Sequence, residues 1–349
     1  MRVLILGGTG FIGPFVVKQL CDPGHEVAVF HRGYTEADLP SAVRHIHCES
    51  FGFNGRQCLN DFIPEFKRFS PDVIVDMIPM TAQDAEAVVK TFSGIAQRLV
   101  AISSQDVYRA YSKLQKLEIG PLEPVPLTED APLRQKRYPY RSDPPRDPKD
   151  PLKWMDNYDK ILVEQVVMDN SRLPGTILRM PMVYGPGDRQ RRFFSHLRRM
   201  DDKRPAILLE RGFARWRWTR GYVENVAWAI CLAITNPIAA GSIYNIGETD
   251  AFSMADWVKA IGKAAHWQGK IIRLPAEQLP VHLQVDFDVR QHLVVDTTRI
   301  RTELGYSEIV CRDEAIQRTI AWEHSNPPKS FDTDSFDYLT ENKALAKLE

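Results

Sequence analysis

"LILGGTGFIG", residues 4–13, runs from an apolar stretch into four glycines, Gly7, Gly8, Gly10 and Gly13. The order Gly8-x-Gly10-x-x-Gly13, with Gly7 as an additional glycine, predicts a strand, a tight turn and the start of a helix. Glycines here permit the turn, let the backbone approach a pyrophosphate, and let the helix pack on the strand. The helix N-terminus then offers free N–H groups to the anion. Residues 7–13, namely Gly7, Gly8, Thr9, Gly10, Phe11, Ile12 and Gly13, are therefore candidate dinucleotide contacts; the alternative is a glycine turn that only packs.

Working outward, short apolar runs alternate with helical patterns: "RVLILG", "EVAVF", "DVIVDMI" and "RLVAIS" read as strands, "PFVVKQL" and "AEAVVKTF" as helices. Nearly continuous apolar strands separated by helices predict a parallel sheet covered on both faces, an α/β doubly wound fold. After the second strand, where an NAD-selecting protein usually carries an acid, this chain has His31 and Arg32. An arginine can pair with a 2′-phosphate, so NADP is the expected cofactor and NAD the second choice; the alternative is that Arg32 points into water.

Lysine plus arginine equals aspartate plus glutamate, 45 each, so no overall field draws the chain to nucleic acid or membrane. The five cysteines are scattered without a C-x-x-C, against a disulfide framework or a structural zinc site, and a reducing cytoplasm is the expected location. The apolar run at the N-terminus breaks too early for a signal peptide, and no run is long enough for a membrane span. His45 and His47 share one strand face, but two histidines alone point to no metal.

Residues 109–153 form a proline-rich polar stretch read as a lid-like insertion, with disorder as the alternative. A helix is predicted from about 154 to 170, then the strand "TILRMP". The expected organisation is a nucleotide-binding domain over 1–180 and a smaller mixed α/β substrate region over 181–325, some of whose segments return to the first domain. A polar C-terminal tail with one helix follows over 326–349.

Seven ordered signatures make the chain resemble the extended short-chain dehydrogenase/reductase family, the NAD(P)-dependent epimerase/dehydratase group. They are "GGTGFIG" at 7–13, "ISSQDVY" at 102–108, "YDKILVEQ" at 158–165, "LRMPMVYGPGD" at 178–188, "YVENVAWAI" at 222–230, "YNIGE" at 244–248 and "DTTRIRTELGY" at 296–306. The resemblance implies a Rossmann domain, a smaller substrate domain and an active site between them. It also implies a serine at a strand end and a Tyr-x-x-x-Lys pair whose phenol exchanges a proton as hydride moves.

Ser104 matches the family serine and Lys160 the lysine, but four residues before Lys160 stands Asp156 in place of tyrosine. Asp156 could act as a base or orient Lys160. Tyr158 is the nearest phenol, yet residues two apart on a regular helix diverge, so it reaches the site only if the helix begins late. Tyr108, Tyr138, Tyr140 and Tyr184 are further candidates. By the same resemblance, Glu49 falls near the adenine, Met77, Ile78 and Pro79 and the loop from Pro181 meet the nicotinamide end, with Met182 and Val183 as carboxamide neighbours, and Ser103 is a further cofactor contact.

Residues 189–220 hold ten arginines and one lysine against three carboxylates, a net +8 in a neutral chain. Family members commonly bind the diphosphate of a nucleotide sugar here, so Arg189, Arg192, Arg217 and Arg220 are candidate substrate contacts, with Trp216 and Trp218 as stacking surfaces. A solvated basic face is the alternative. The expected partner is a small molecule, with a nucleotide sugar as the candidate; nucleic acid is disfavoured, no membrane is expected, and the resemblance implies a homodimer as the candidate assembly. The competing functions are a non-redox NADP-binding scaffold for RNA or protein, and a reductase of a small carbonyl compound.

Overall fold

Strand β1 (Arg2–Leu6) has Val3, Leu4, Ile5 and Leu6 all at 0% exposure, so both faces of the sheet are covered where the chain begins. A computed structural model describes residues 1–35, 37–52 and 56–348. The first half runs α1 (Gly13–Cys21), β2 (Glu26–His31), β3 (Arg44–His47), α2 (Ile63–Phe69), β4 (Val73–Asp76), α3 (Ala82–Phe92), β5 (Arg98–Ser104), α4 (Arg109–Leu114), α5 (Lys160–Met168) and β6 (Gly175–Met180). Then come β7 (Met182–Tyr184), α6 (Phe194–Asp201), β8 (Ala206–Glu210), α7 (Arg211–Arg215), β9 (Arg220–Tyr222), α8 (Val223–Thr235) and β10 (Ile243–Asn245). The chain continues through α9 (Met254–Ala264), β11 (Lys270–Leu274), α10 (Thr298–Leu304), α11 (Arg312–Ser325) and α12 (Tyr338–Ala346).

Seven parallel strands form one sheet in the order β10-β6-β5-β4-β1-β2-β3. Helices α1 and α8 pack on one face and α3 and α5 on the other. This is the doubly wound parallel α/β fold that the alternating apolar runs predict. Strand order reverses between β1 and β4, which opens a crevice beyond their carboxyl ends, where α/β sheets bind ligands. The glycine turn leaves β1 there and Met77 leaves β4, joined to Leu6 by an N–H···O bond of 3.1 Å. Two parallel two-stranded units, β8 with β11 and β7 with β9, carry the smaller region.

The helix expected over 154–170 is broken. Lys153–Asn157 is a 3₁₀ turn, Tyr158 and Asp159 are extended, and α5 starts at Lys160. Asp159 caps it, accepting the Ile161 N–H at 3.1 Å, the role for which short acidic side chains are favoured. The insertion over 109–153 is tied down at several points: Leu127 N–H to Val294 O (2.8 Å), Arg109 and Lys113 to Glu123, and a fully buried Arg134–Asp159 pair at 2.6 Å.

The C-terminal segment is not a free tail. Helix α12 docks Glu341 onto Arg199 at 2.6 Å with both side chains buried; residue 349 lies outside the described residues. No helix among the described residues is long and apolar enough to cross a membrane.

Candidate active site and cofactor cleft

Gly7 and Gly8 adopt φ of +93° and +90°, a left-handed backbone in which a side chain is strained. A Cβ on Gly13 would lie 2.4 Å from the Gly8 backbone, so the helix closes directly on the turn. By contrast, a Cβ on Gly10 would meet nothing within 4 Å, which leaves the outer side of the turn open. Helix α1 starts with a proline in its first turn and has no side-chain cap at Ile12; its Gly13 N–H donates to Gly10 O at 3.1 Å. The cavity over this turn measures about 260 Å³. Open glycine backbone with Arg32 and Arg189 on the lining suits the phosphates of a dinucleotide.

All seven turn residues, His31, Arg32, Met77 and Ile78 line this cavity. The lining adds Tyr34, Thr35 and Phe51, which sequence reasoning missed, and Arg189, which it placed at the substrate. Glu49, Pro79, Ser103, Pro181, Met182 and Val183 are not on it. Glu49 is exposed, and the Ser103 hydroxyl donates to Glu164 at 2.5 Å. Pro79 O accepts from Lys160. Met182 N–H donates to Thr219 O (3.2 Å), and Val183 O accepts from Arg192 (2.8 Å).

Beyond the carboxyl end of β5, the Ser104 hydroxyl accepts the Asp106 N–H at 3.2 Å and starts a 3₁₀ turn that aims Asp106 inward. Because Tyr158 precedes α5 in an extended conformation, its ring is freed from the helical direction and reaches this turn. Its hydroxyl donates to Asp106 Oδ2 at 2.7 Å. Tyr140, from the insertion, donates to the same oxygen at 3.1 Å and meets the Tyr111 hydroxyl at 2.9 Å. Asp106 Oδ1 is buried without a partner.

Burial raises the Asp106 carboxyl, against the opposing effects of Tyr158, Arg134 and Lys160. Burial, and then the Asp106 charge, push the Tyr158 phenol well above its usual value. Lys160, buried in the first turn of α5, donates to Pro79 O (2.8 Å) and Ile102 O (2.9 Å). Burial lowers its ammonium to about 8, while Asp76 and Asp106 oppose the drop.

Asp156 sits elsewhere in this network: Arg146, Lys153 and Ser142 take up its carboxylate. Burial alone would raise it, but those donors hold it below the ordinary carboxylate range. Tyr108 donates to Asn245 and Tyr184 to Glu248, both in buried networks, and the Tyr138 ring lies against Arg141.

The arginine run divides. Arg191, Arg192, Arg198, Arg199 and Arg204 pair with Glu323, Asp188, Asp202 and Glu341. Arg220 is buried over the Trp257 ring at 4.6 Å, and burial lowers it to about 10. Arg217 lines a separate cavity of about 680 Å³ with Arg215, Arg273, Arg301 and His292. Trp216 is buried and donates to Gln291 O at 2.9 Å, which removes it from ligand stacking; Trp218 is partly buried, with an unpartnered indole nitrogen.

The profile of the NAD dependent epimerase/dehydratase family matches residues 3–247. An uncharacterized protein, y4nL of Sinorhizobium fredii, is 28% identical over 191 residues, 47% of this chain and 52% of that protein. The 2′-dehydrokanamycin reductase of Streptomyces kanamyceticus is 30% identical over 129 residues, 37% of this chain and 32% of that protein. The chain thus spans about half the length of the first relative and about a third of the second. A solved UDP-glucuronic acid 4-epimerase of Bacillus cereus, in complex with UDP-glucuronic acid and NAD, superposes with a TM-score of 0.65. At 17% identity over 93% of this chain and 99% of that one, it is a likeness of fold.

Proposed function

The chain belongs to the NAD dependent epimerase/dehydratase family, and from that premise we propose that it is an NAD(P)-dependent epimerase, dehydratase or reductase of a sugar-like substrate, with nucleotide-linked sugars as the substrate class. The observation that carries the reading is the Tyr158–Asp106 hydrogen bond beside Ser104 and Lys160. A bound nicotinamide cofactor supplies the hydride acceptor and donor.

The chain's own residues do the rest. The glycine turn and the N-terminus of α1 hold the pyrophosphate, and Arg189 covers it. Lys160 spends two N–H groups on Pro79 O and Ile102 O, and its third serves the ribose. The Ser104 hydroxyl orients the reacting oxygen. As that oxygen gives up its proton to the Tyr158 oxygen, the Tyr158 proton passes to Asp106 Oδ2; the reverse path serves reduction. Asp156 anchors the insertion through Arg146 and Lys153 and takes no part in proton transfer.

The arginine-lined 680 Å³ cavity suits the diphosphate of the substrate, with Arg217 as its contact from the basic run. Arg32 beside the glycine turn supports NADP over NAD. Calorimetry with each cofactor checks this: Arg32→Ala should weaken NADP binding by about tenfold or more while sparing NAD, since it removes one charge-assisted contact.

Turnover of a panel of nucleotide sugars, followed by cofactor absorbance, tests the main reading. Tyr158→Phe should lower kcat by about 10²–10⁴. Undiminished turnover in both Tyr158→Phe and Asp106→Asn sinks it. The 30% identity with a reductase favours a second reading, reduction of a sugar ketone that carries no nucleotide. Arg217→Ala separates the two, since it raises KM only if a diphosphate binds in that cavity. The pairing of five arginines of the basic run with carboxylates lends no support to an RNA-binding role.

A further inference from the structure

Away from the tyrosine–aspartate cluster, three histidines converge at the edge of the sheet. His31 ends β2; His45 and His47 lie on β3, the outermost strand. In the parallel register His31 stands opposite His47, and His45 lies two residues before His47, so all three rings emerge on one face. His31 Nε2 and His45 Nδ1 are 3.0 Å apart, and one nitrogen from each of the three rings lies within 4.8 Å of the others. His31 is only 3% exposed whereas His47 is exposed, which gives the cluster a closed floor and an open side.

We propose that His31, His45 and His47 form a site for one divalent transition-metal ion of the zinc class, at the rim of the glycine-turn cavity. Zinc–imidazole bonds of about 2.0–2.1 Å in a tetrahedron set the nitrogens about 3.3 Å apart. One pair already stands at 3.0 Å. With all three nitrogens within 4.8 Å of one another, closing to the tetrahedral spacing requires a movement of at most about 1.5 Å.

An all-imidazole set selects zinc, copper, nickel or cobalt over magnesium or calcium, which prefer oxygen ligands. Two adjacent strands of the main sheet supply the ligands, so their spacing is held by the ladder between β2 and β3. Binding through His31 Nε2 and His45 Nδ1 replaces the hydrogen bond between those nitrogens and requires the proton on His31 Nδ1, so the 3.3 Å contact from the Gly33 N–H to that nitrogen is given up as well. With three protein ligands the ion keeps an open position. His31 and Arg32 both line the nucleotide cavity, which puts the ion's charge beside that cavity. The proposal stands apart from the redox reading.

The full chain, stripped with a chelator, is titrated with Co²⁺, read by its d–d absorption, and with Zn²⁺, read by calorimetry. One equivalent per chain is expected, with a cobalt spectrum of the intense tetrahedral type. Partners of a metal-bound histidine alone change affinity by about 10–100-fold, so loss of a ligand in His45→Ala or His47→Ala should weaken binding at least tenfold. Circular dichroism checks the fold of both variants. If the parent binds no ion, or both variants bind as tightly as the parent, the site does not exist. Cofactor binding measured on the same samples keeps this result separate from the enzymatic reading.

Discussion

The Tyr158 hydroxyl, 2.7 Å from a buried carboxylate, is a weak acid, since burial and then the Asp106 charge push it above the usual phenol value of about 10. In the proposed reaction it therefore keeps its proton across the working pH range and acts as a conduit, while the charge change falls on Asp106 and Lys160. As a base Asp106 must be ionised. Its carboxyl is raised by burial, so the acid limb of kcat/KM should lie above the value of about 3.9 for a free aspartate. Lys160 loses its charge as pH rises through about 8, which sets the alkaline limb. Asp106→Asn should abolish the acid limb. It should also move the alkaline limb to lower pH, because Asp106 is one of the charges that support the Lys160 ammonium. A pH–rate profile in which the variant keeps both limbs in place would contradict this assignment.

At the scale of the element, the start of α5 decides where the phenol points. Asp159 caps the helix and also forms the buried pair with Arg134, which ties the insertion to the start of α5. Asp159→Ala removes the cap and leaves a buried guanidinium unpaired, a loss of about 3–5 kcal/mol. Urea unfolding should register that loss, and kcat of the folded fraction should fall because Tyr158 is no longer directed at Asp106. An aspartate immediately before the apolar run "KILVEQVV" is a helix-start signal visible in the sequence. Nothing local, however, ends the preceding turn at Asn157. The break comes from Arg134, 25 residues away, and from the Met80 carbonyl, which accepts the Asp159 N–H at 3.2 Å. For that reason the segment reads as one helix from sequence and folds as two pieces.

At the scale of the molecule, the last helix is a structural part of the fold, docked on α6. Glu341 on α12 meets Arg199 on α6 at 2.6 Å, with Arg204 and His282 close by. Glu341→Gln leaves the Arg199 charge buried without its carboxylate and should cost about 3–5 kcal/mol. The denaturation midpoint should drop while the turnover of folded molecules at 25 °C stays unchanged. Equal midpoints for parent and variant would count against the docking of α12.

The doubly wound fold and the open glycine turn at its crevice are legible in the sequence because both rest on short-range physics. Apolar runs of strand length must be covered on both faces, and the groups that the glycine turn offers to a phosphate are backbone groups supplied within ten residues of β1. Other features arise only when distant segments meet. Tyr158 and Asp106 are 52 residues apart, and His31 joins His45 and His47 only through the pairing of β2 with β3. Arg191 and Arg199 find their carboxylates 132 and 142 residues further on. A net charge of +8 over 32 residues carries no record of those partners, since Coulomb pairing depends on distance in space and not on separation along the chain.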